Sequence, residues 1–239
     1  MRPSTFAALV VVVPLIALAP LPAHAQSSAR EAITGAIREF GEAVVAGDGE
    51  RLADAIWVSE HSVADATGRD LFVRLVLAER RLERVAGTRW GTAGGARFRC
   101  NYPLLYPPDD RTALAAADIS PEHNGTVWVQ RPNETYPIRC RRGSGGRWQV
   151  VLDMLDMDLE DDLSSTPIQP DPRSRCRLNQ YLAMAEGVED VAERVEKGEY
   201  ATPAAAEADV MARFEKALAD YIAARNALNP GRRPFRYYR

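Results

Sequence analysis

The spacing of apolar residues changes twice along this chain, and those changes constrain its fold more than any single motif. From Ile33 to Leu82 apolar residues recur every three or four positions. Between Phe98 and Leu152 short runs alternate with a period of two, and from Leu178 to Ile222 the spacing is three or four again. The longer spacing places side chains on one stripe of a helix, and a spacing of two places them on one face of a strand. Helices, then strands, then helices make an α+β protein.

Local signals place the elements. Ser28 and Glu31 have capping-box spacing, and Ile33, Ile37, Phe40 and Val44 form the first stripe. Gly47 is placed to end that helix, and Asp48 to cap a short second one carrying Leu52, Ile56 and Trp57. A third helix is expected over 69–85, burying Leu71, Phe72, Leu75, Val76 and Leu82, with Arg80, Arg81 and Arg84 in solvent. Strands follow, as a curved antiparallel meander. Phe98, Cys100 and Tyr102 share one face, and 112–119 and 126–130 form two more strands. Tyr136, Ile138 and Cys140 share a face, as do Trp148, Val150 and Leu152. Asn124-Gly125 and Gly143–Gly146 supply turns. After a proline-rich break at 167–172, Asp171-Pro172 and Thr202-Pro203 each open a helix, with Gly198 between them. The result is an antiparallel helical hairpin whose helices bury one another or dock on the sheet.

The first residues predict a compartment. Arg2, the apolar run to Leu21 and the small-x-small ending Ala23-His24-Ala25 have the layout of a secretory signal peptide, with cleavage before Gln26. The run is shorter than the roughly 20 residues a spanning helix needs. The expectation is an exported protein, periplasmic or extracellular, whose mature form does not span a membrane. The organisation follows: signal peptide 1–25, an α+β domain 26–163 and a helical-hairpin extension 164–239. In an oxidising compartment Cys100, Cys140 and Cys176 are disulfide candidates, one pair and one thiol left over. The net charge is −3, and about −4 without Arg2, which argues against nucleic acid as a partner. No cofactor and no metal site is expected.

The segment Phe40–Ile56, FGEAVVAGDGERLADAI, resembles the opening of nuclear transport factor 2-like (SnoaL-like) domains. The later pattern is similar too: Ala113–Ile119, a strand with Val127 and Val129, then YPIRCRRGSGGRWQVV from Tyr136 to Val151. The resemblance covers roughly residues 28–153 and leaves the helical hairpin outside. It implies a cone, a bent sheet wrapped over three N-terminal helices with a pocket at its open end. The superfamily holds isomerases, dehydratases and cyclases beside non-enzymatic binding and assembly domains, so fold alone does not carry function.

Candidate sites follow from residue type and spacing. His61 and Asp65 are four apart and share a helix face, an arrangement that serves as a general base with its orienter. Trp57 and Trp128 are candidates to line an apolar pocket, whereas Trp148 belongs to the core. The acidic run Asp153–Asp162, interleaved with Met154, Leu155, Met157 and Leu159, is a solvated segment. The tail from Arg232 to Arg239 carries four arginines and three aromatics, suited to an acidic partner or to that run. Where isomerases and dehydratases carry a polar constellation, this chain is mostly apolar. The leading expectation is therefore a non-catalytic domain that binds a small apolar ligand or a protein partner. The alternatives are an isomerase, dehydratase or hydrolase using His61 and a carboxylate, and a homo-oligomeric assembly module acting through the hairpin. Intact-mass analysis of the protein from its native host is expected to give a mature N-terminus at Gln26. A full-length mass in the cytoplasmic fraction is the opposing result.

Overall fold

The computed structural model describes residues 23–60, 62–99, 111–132, 134, 137–152 and 170–228. Among them are six helices and one four-stranded antiparallel sheet, which is not closed. The helices are α1 (Ala23–Ala46), α2 (Gly49–Ala55), α3 (Val63–Ala96), α4 (Arg111–Ala115), α5 (Pro172–Lys197) and α6 (Pro203–Ala227). The strands are β1 (Asp118–Ile119), β2 (Thr126–Gln130), β3 (Ile138–Arg142) and β4 (Trp148–Val150), in sheet order β1-β2-β3-β4.

Most capping signals act where the sequence puts them. The Asp48 carboxylate accepts the Arg51 N–H at 3.1 Å and starts α2. The Asp171 carboxylate accepts the Ser174 N–H and starts α5 with Pro172 in its first turn. Thr202 does the same for α6. Gly47 and Gly198 take left-handed conformations at helix ends. Asn124 and Gly125 both have positive φ, 48° and 72°, which matches a two-residue hairpin turn to the twist of its strands. The first helix differs. It begins at Ala23, so Ser28 lies inside it rather than capping it. Once a helix exists each added residue contributes a hydrogen bond at little cost, and Ala23 and Ala25 are strong helix formers.

Two stretches depart from the expected pattern. The stretch expected as a strand over 112–119 folds as helix α4 followed by the two-residue β1. Its run Ala113-Leu114-Ala115-Ala116-Ala117 is made of good helix formers, and alanine is a poor strand residue. The third helix is longer than 69–85. Ser62 caps it, accepting the Asp65 N–H, and helical geometry holds to Gly91. There φ is 77° and ψ 177°, and the chain reverses. The returning turn lies so close to α3 that a Cβ on Gly95 would stand 2.8 Å from the Glu83 carbonyl oxygen and 3.0 Å from the Gly87 Cα. Phe98, expected on a strand, is instead buried just after this turn, its N–H donating to the Gly95 carbonyl. Cys100, Tyr102 and Tyr136 lie outside the described residues.

Among the described residues one apolar cluster joins helices α1, α3 and α5 to the sheet. It takes Ile37, Phe40 and Val44 from α1, Phe72, Leu75 and Leu82 from α3, and Val127, Val129, Ile138 and Cys140 from one sheet face. Phe40 and Phe72 stack with ring centroids 6.1 Å apart. Val188, Val191, Ala192 and Val195 of α5 belong to the same cluster. The helical hairpin therefore docks on α3, not on the sheet, and α6 lies on α5. Polar rungs accompany this seam. The Arg74 guanidinium donates to both carboxylate oxygens of Glu189, at 2.8 and 2.6 Å, and holds that carboxyl below its ordinary pKa. Arg81, exposed as expected, makes the same fork with Glu196, whereas Arg80 is largely covered and pairs with Glu83. Arg97 pairs with Glu207 of α6. Beyond Gly198, the Tyr200 hydroxyl donates to Asp209, which also takes Arg194 and Arg213. The Tyr200 hydroxyl is pushed well above its ordinary pKa, first by burial and then by that carboxylate.

The close return at Gly95 gives a stability test. Gly95→Ala is expected to cost about 1–3 kcal/mol in urea unfolding, because a methyl group there meets backbone that cannot move alone. Gly145→Ala, where a Cβ meets nothing within 4 Å, should change stability by less than about 0.5 kcal/mol.

Candidate functional site

The sheet has one buried and one outward face, set by strict alternation. Val127 and Val129 of β2 and Ile138 and Cys140 of β3 point into the core, so Thr126, Trp128, Arg139 and Arg141 point the other way. Antiparallel register places Trp128 opposite Arg139, and Thr126 opposite Arg141. The Arg139 guanidinium lies 5.3 Å from the Trp128 ring centroid. Trp128 is nevertheless 43% exposed, although its strand is internal to the sheet.

Trp57 reaches the same face by another route. Ile56 pairs in parallel with Val150, and the Trp57 N–H donates to the Val150 carbonyl at 2.8 Å. That bond extends the sheet by one short segment beyond β4 and turns the indole toward Arg141, whose guanidinium lies 4.5 Å from its centroid. Gln149, opposite Arg141, donates to the Asp54 carbonyl at 2.7 Å and ties the segment down. Trp57 and Trp128 thus share a face, each stacked by an arginine of β3. Trp148 lies on the buried face, 4% exposed, with Arg142 over its ring at 4.7 Å.

Asp65 belongs to the same neighbourhood. It stands in the first turn of α3, 4% exposed, and its Oδ2 accepts the Ser59 N–H at 3.1 Å. Burial raises its pKa above the ordinary carboxylate value. The Ser59 N–H, the Ser62 hydroxyl, and the charges of Arg141 and Arg139 partly offset that rise. The residues singled out from sequence as a catalytic pair and as a pocket lining therefore meet around two arginines, except that His61 lies outside the described residues. Asp65 closes a helix turn in this arrangement. The two indoles offer flat apolar area, and the guanidiniums over them add positive charge to the same face. Together they suit recognition of a surface carrying carboxylates or carbonyls beside apolar groups.

Arg139 and Arg141 had not been singled out from the sequence. The signal was present in Ile138-Arg139-Cys140-Arg141: once the apolar pair faces the core, the arginines must share the other face. Two open grooves lie elsewhere. One, of about 640 Å³, runs between α3 and α5. The other, of about 480 Å³, lies between α1, Arg51 of α2 and the Gly146–Trp148 turn. Neither is lined by Trp57 or Trp128. Among the described residues no group of three or more histidines, cysteines and carboxylates is placed to hold a metal ion. The acidic run at 153–162 lies outside them. Cys140 is buried and Cys176 half-buried near the start of α5; no disulfide joins described residues, and Cys100 lies outside them. No described helix is long and apolar enough to cross a membrane. The chain matches no protein-family model, no curated protein and no solved structure.

The raised pKa of Asp65 has a stability consequence with a definite sign. A carboxyl whose folded pKa lies above its unfolded value favours the folded state most at low pH, and that contribution is lost as pH rises through the folded pKa. Asp65→Asn keeps an oxygen for the Ser59 N–H and does not titrate. Its urea midpoint, relative to the unsubstituted protein, is expected to improve between pH 3.5 and pH 7. A pH-independent difference would remove burial as the dominant influence on this carboxyl.

Proposed function

We propose that this protein is an exported, non-catalytic binding domain of nuclear transport factor 2-like build, and that it engages a protein partner through the Trp57–Arg141 and Arg139–Trp128 face. The observation that carries the reading is Trp128. A large indole stays 43% exposed on an internal strand, with the guanidinium of the residue directly across the ladder 5.3 Å from its ring centroid. Tryptophan and arginine are the residues most enriched where binding energy concentrates in protein interfaces. A small apolar ligand, the other form of the same reading, finds less support. The two grooves noted among the described residues are open and lined largely by charged side chains, whereas small-molecule sites are concave and mostly apolar.

One observation favours a second reading. Asp65 is a buried carboxyl with a raised pKa, the condition that poises a carboxyl for proton transfer. An isomerase, dehydratase or hydrolase using His61 and this carboxylate would keep its turnover in Trp128→Ala and lose it in Asp65→Asn.

The binding reading is tested with the tagged full chain expressed in its native host, crosslinked in cells and recovered from the envelope and medium fractions. A specific protein should be captured, and Trp128→Ala should reduce its recovery at least tenfold, the loss typical of an interface anchor. Met211→Ala, another exposed apolar side chain but on α6, should leave recovery unchanged. Equal recovery with Trp128→Ala would overturn the assignment of this face.

A further inference from the structure

The groove between α3 and α5 has an apolar floor and an acidic rim. Val73 and Leu77 form the floor, and Leu77 is 38% exposed, unusual for a leucine beside a packed helix seam. Five carboxylates line the groove, at Asp70, Glu186, Glu189, Asp190 and Glu193, against the guanidiniums of Arg74 and Arg81. Arg74 is committed to Glu189, and Arg81 to Glu196. Asp70, Asp190 and Glu193 each have a cation nearby, Arg69, Arg213 and Lys197. Glu186 makes no hydrogen bond or ion pair among the described residues and acts on Arg74 only through space. A visitor that fits would lay an aromatic ring on Leu77 and bring a guanidinium to Glu186.

We propose that the visitor is this chain's own C-terminus, Arg232–Arg239. Its sequence RRPFRYYR pairs four arginines with Phe235, Tyr237 and Tyr238. An arginine of this segment can meet Glu186, and its rings can meet the apolar floor. Position supports it. Arg177 of α5 lies over the Tyr221 ring of α6 at 4.4 Å, so α6 ends near the start of α5. Arg74–Glu189 and Arg81–Glu196 keep a constant offset, so α3 and α5 run parallel, and the Asp70–Glu186 end of the groove faces that same end of the hairpin. From Leu228 back to the level of Glu186 is ~24 Å along the axis at 1.5 Å per helical residue. Residues 229–239, extended, reach ~36 Å. The tail is long enough to cross α5 and seat Tyr237 or Tyr238 on the groove floor.

Photocrosslinking of the full chain tests this, with benzoylphenylalanine incorporated at position 235 and the crosslinked peptides mapped by mass spectrometry. Intramolecular crosslinks to the Val73–Leu77 or Glu186–Glu193 segments are expected. Their yield should fall at least fivefold in Glu186→Lys and in 0.5 M salt, which screens exposed charge pairs. Crosslinks that map elsewhere, or form only between molecules, would overturn the proposal. So would a groove crosslink whose yield ignores both the charge reversal and salt.

Discussion

The parallel packing of α5 along α3 is the constraint on which the rest of this structure depends. Arg74 meets Glu189 and Arg81 meets Glu196 at the same offset in sequence, so the two helices run side by side in one direction. A short turn joins antiparallel helices only, so the chain must travel back the full length of α3 before α5 begins. The sheet lies within that return. One of its faces shares the apolar cluster with α1 and α3, and the other is turned away.

The seam draws its strength from apolar burial rather than from the visible ion pairs. Exposed arginine–carboxylate pairs contribute about 0.2–1 kcal/mol each, and the guanidiniums and carboxylates here are more than a third exposed. Burying one valine or leucine contributes about 1.5–3 kcal/mol. Leu75 and Leu82 on α3 and Val188, Val191 and Val195 on α5 are all fully or nearly fully buried. The charged rungs mark direction instead: the shared offset of Arg74–Glu189 and Arg81–Glu196 is met only by helices that run in parallel.

Much of the local structure was legible in the sequence because its causes are local. Asp48, Asp171 and Thr202 cap helices through their own side chains, and Asn124-Gly125 turns because both residues tolerate positive φ. The misreadings share a different cause. The 112–119 segment, expected as a strand, opens as helix because its alanines follow helix propensity. The reversal at Gly91 depends on how closely Gly95 can approach Glu83, a tertiary fact invisible to periodicity. The gathering of Trp57, Asp65 and Trp128 around Arg139 and Arg141 depends on strand register and on the Ile56–Val150 bridge. Spacing announces each of those residues singly, but not that they meet.

The long return between α3 and α5 also sets the order in which this molecule can form. Contacts so far apart in sequence lower relative folding speed, because loop closure must precede any gain from them. On the ribosome, α3 emerges well before its cover. Until Val188 and Val195 have been synthesised, the part of α3 that α5 covers faces water or whatever binds it. Newly made chains truncated before α5 should therefore be sticky, and the helical hairpin is the cover whose arrival removes that hazard.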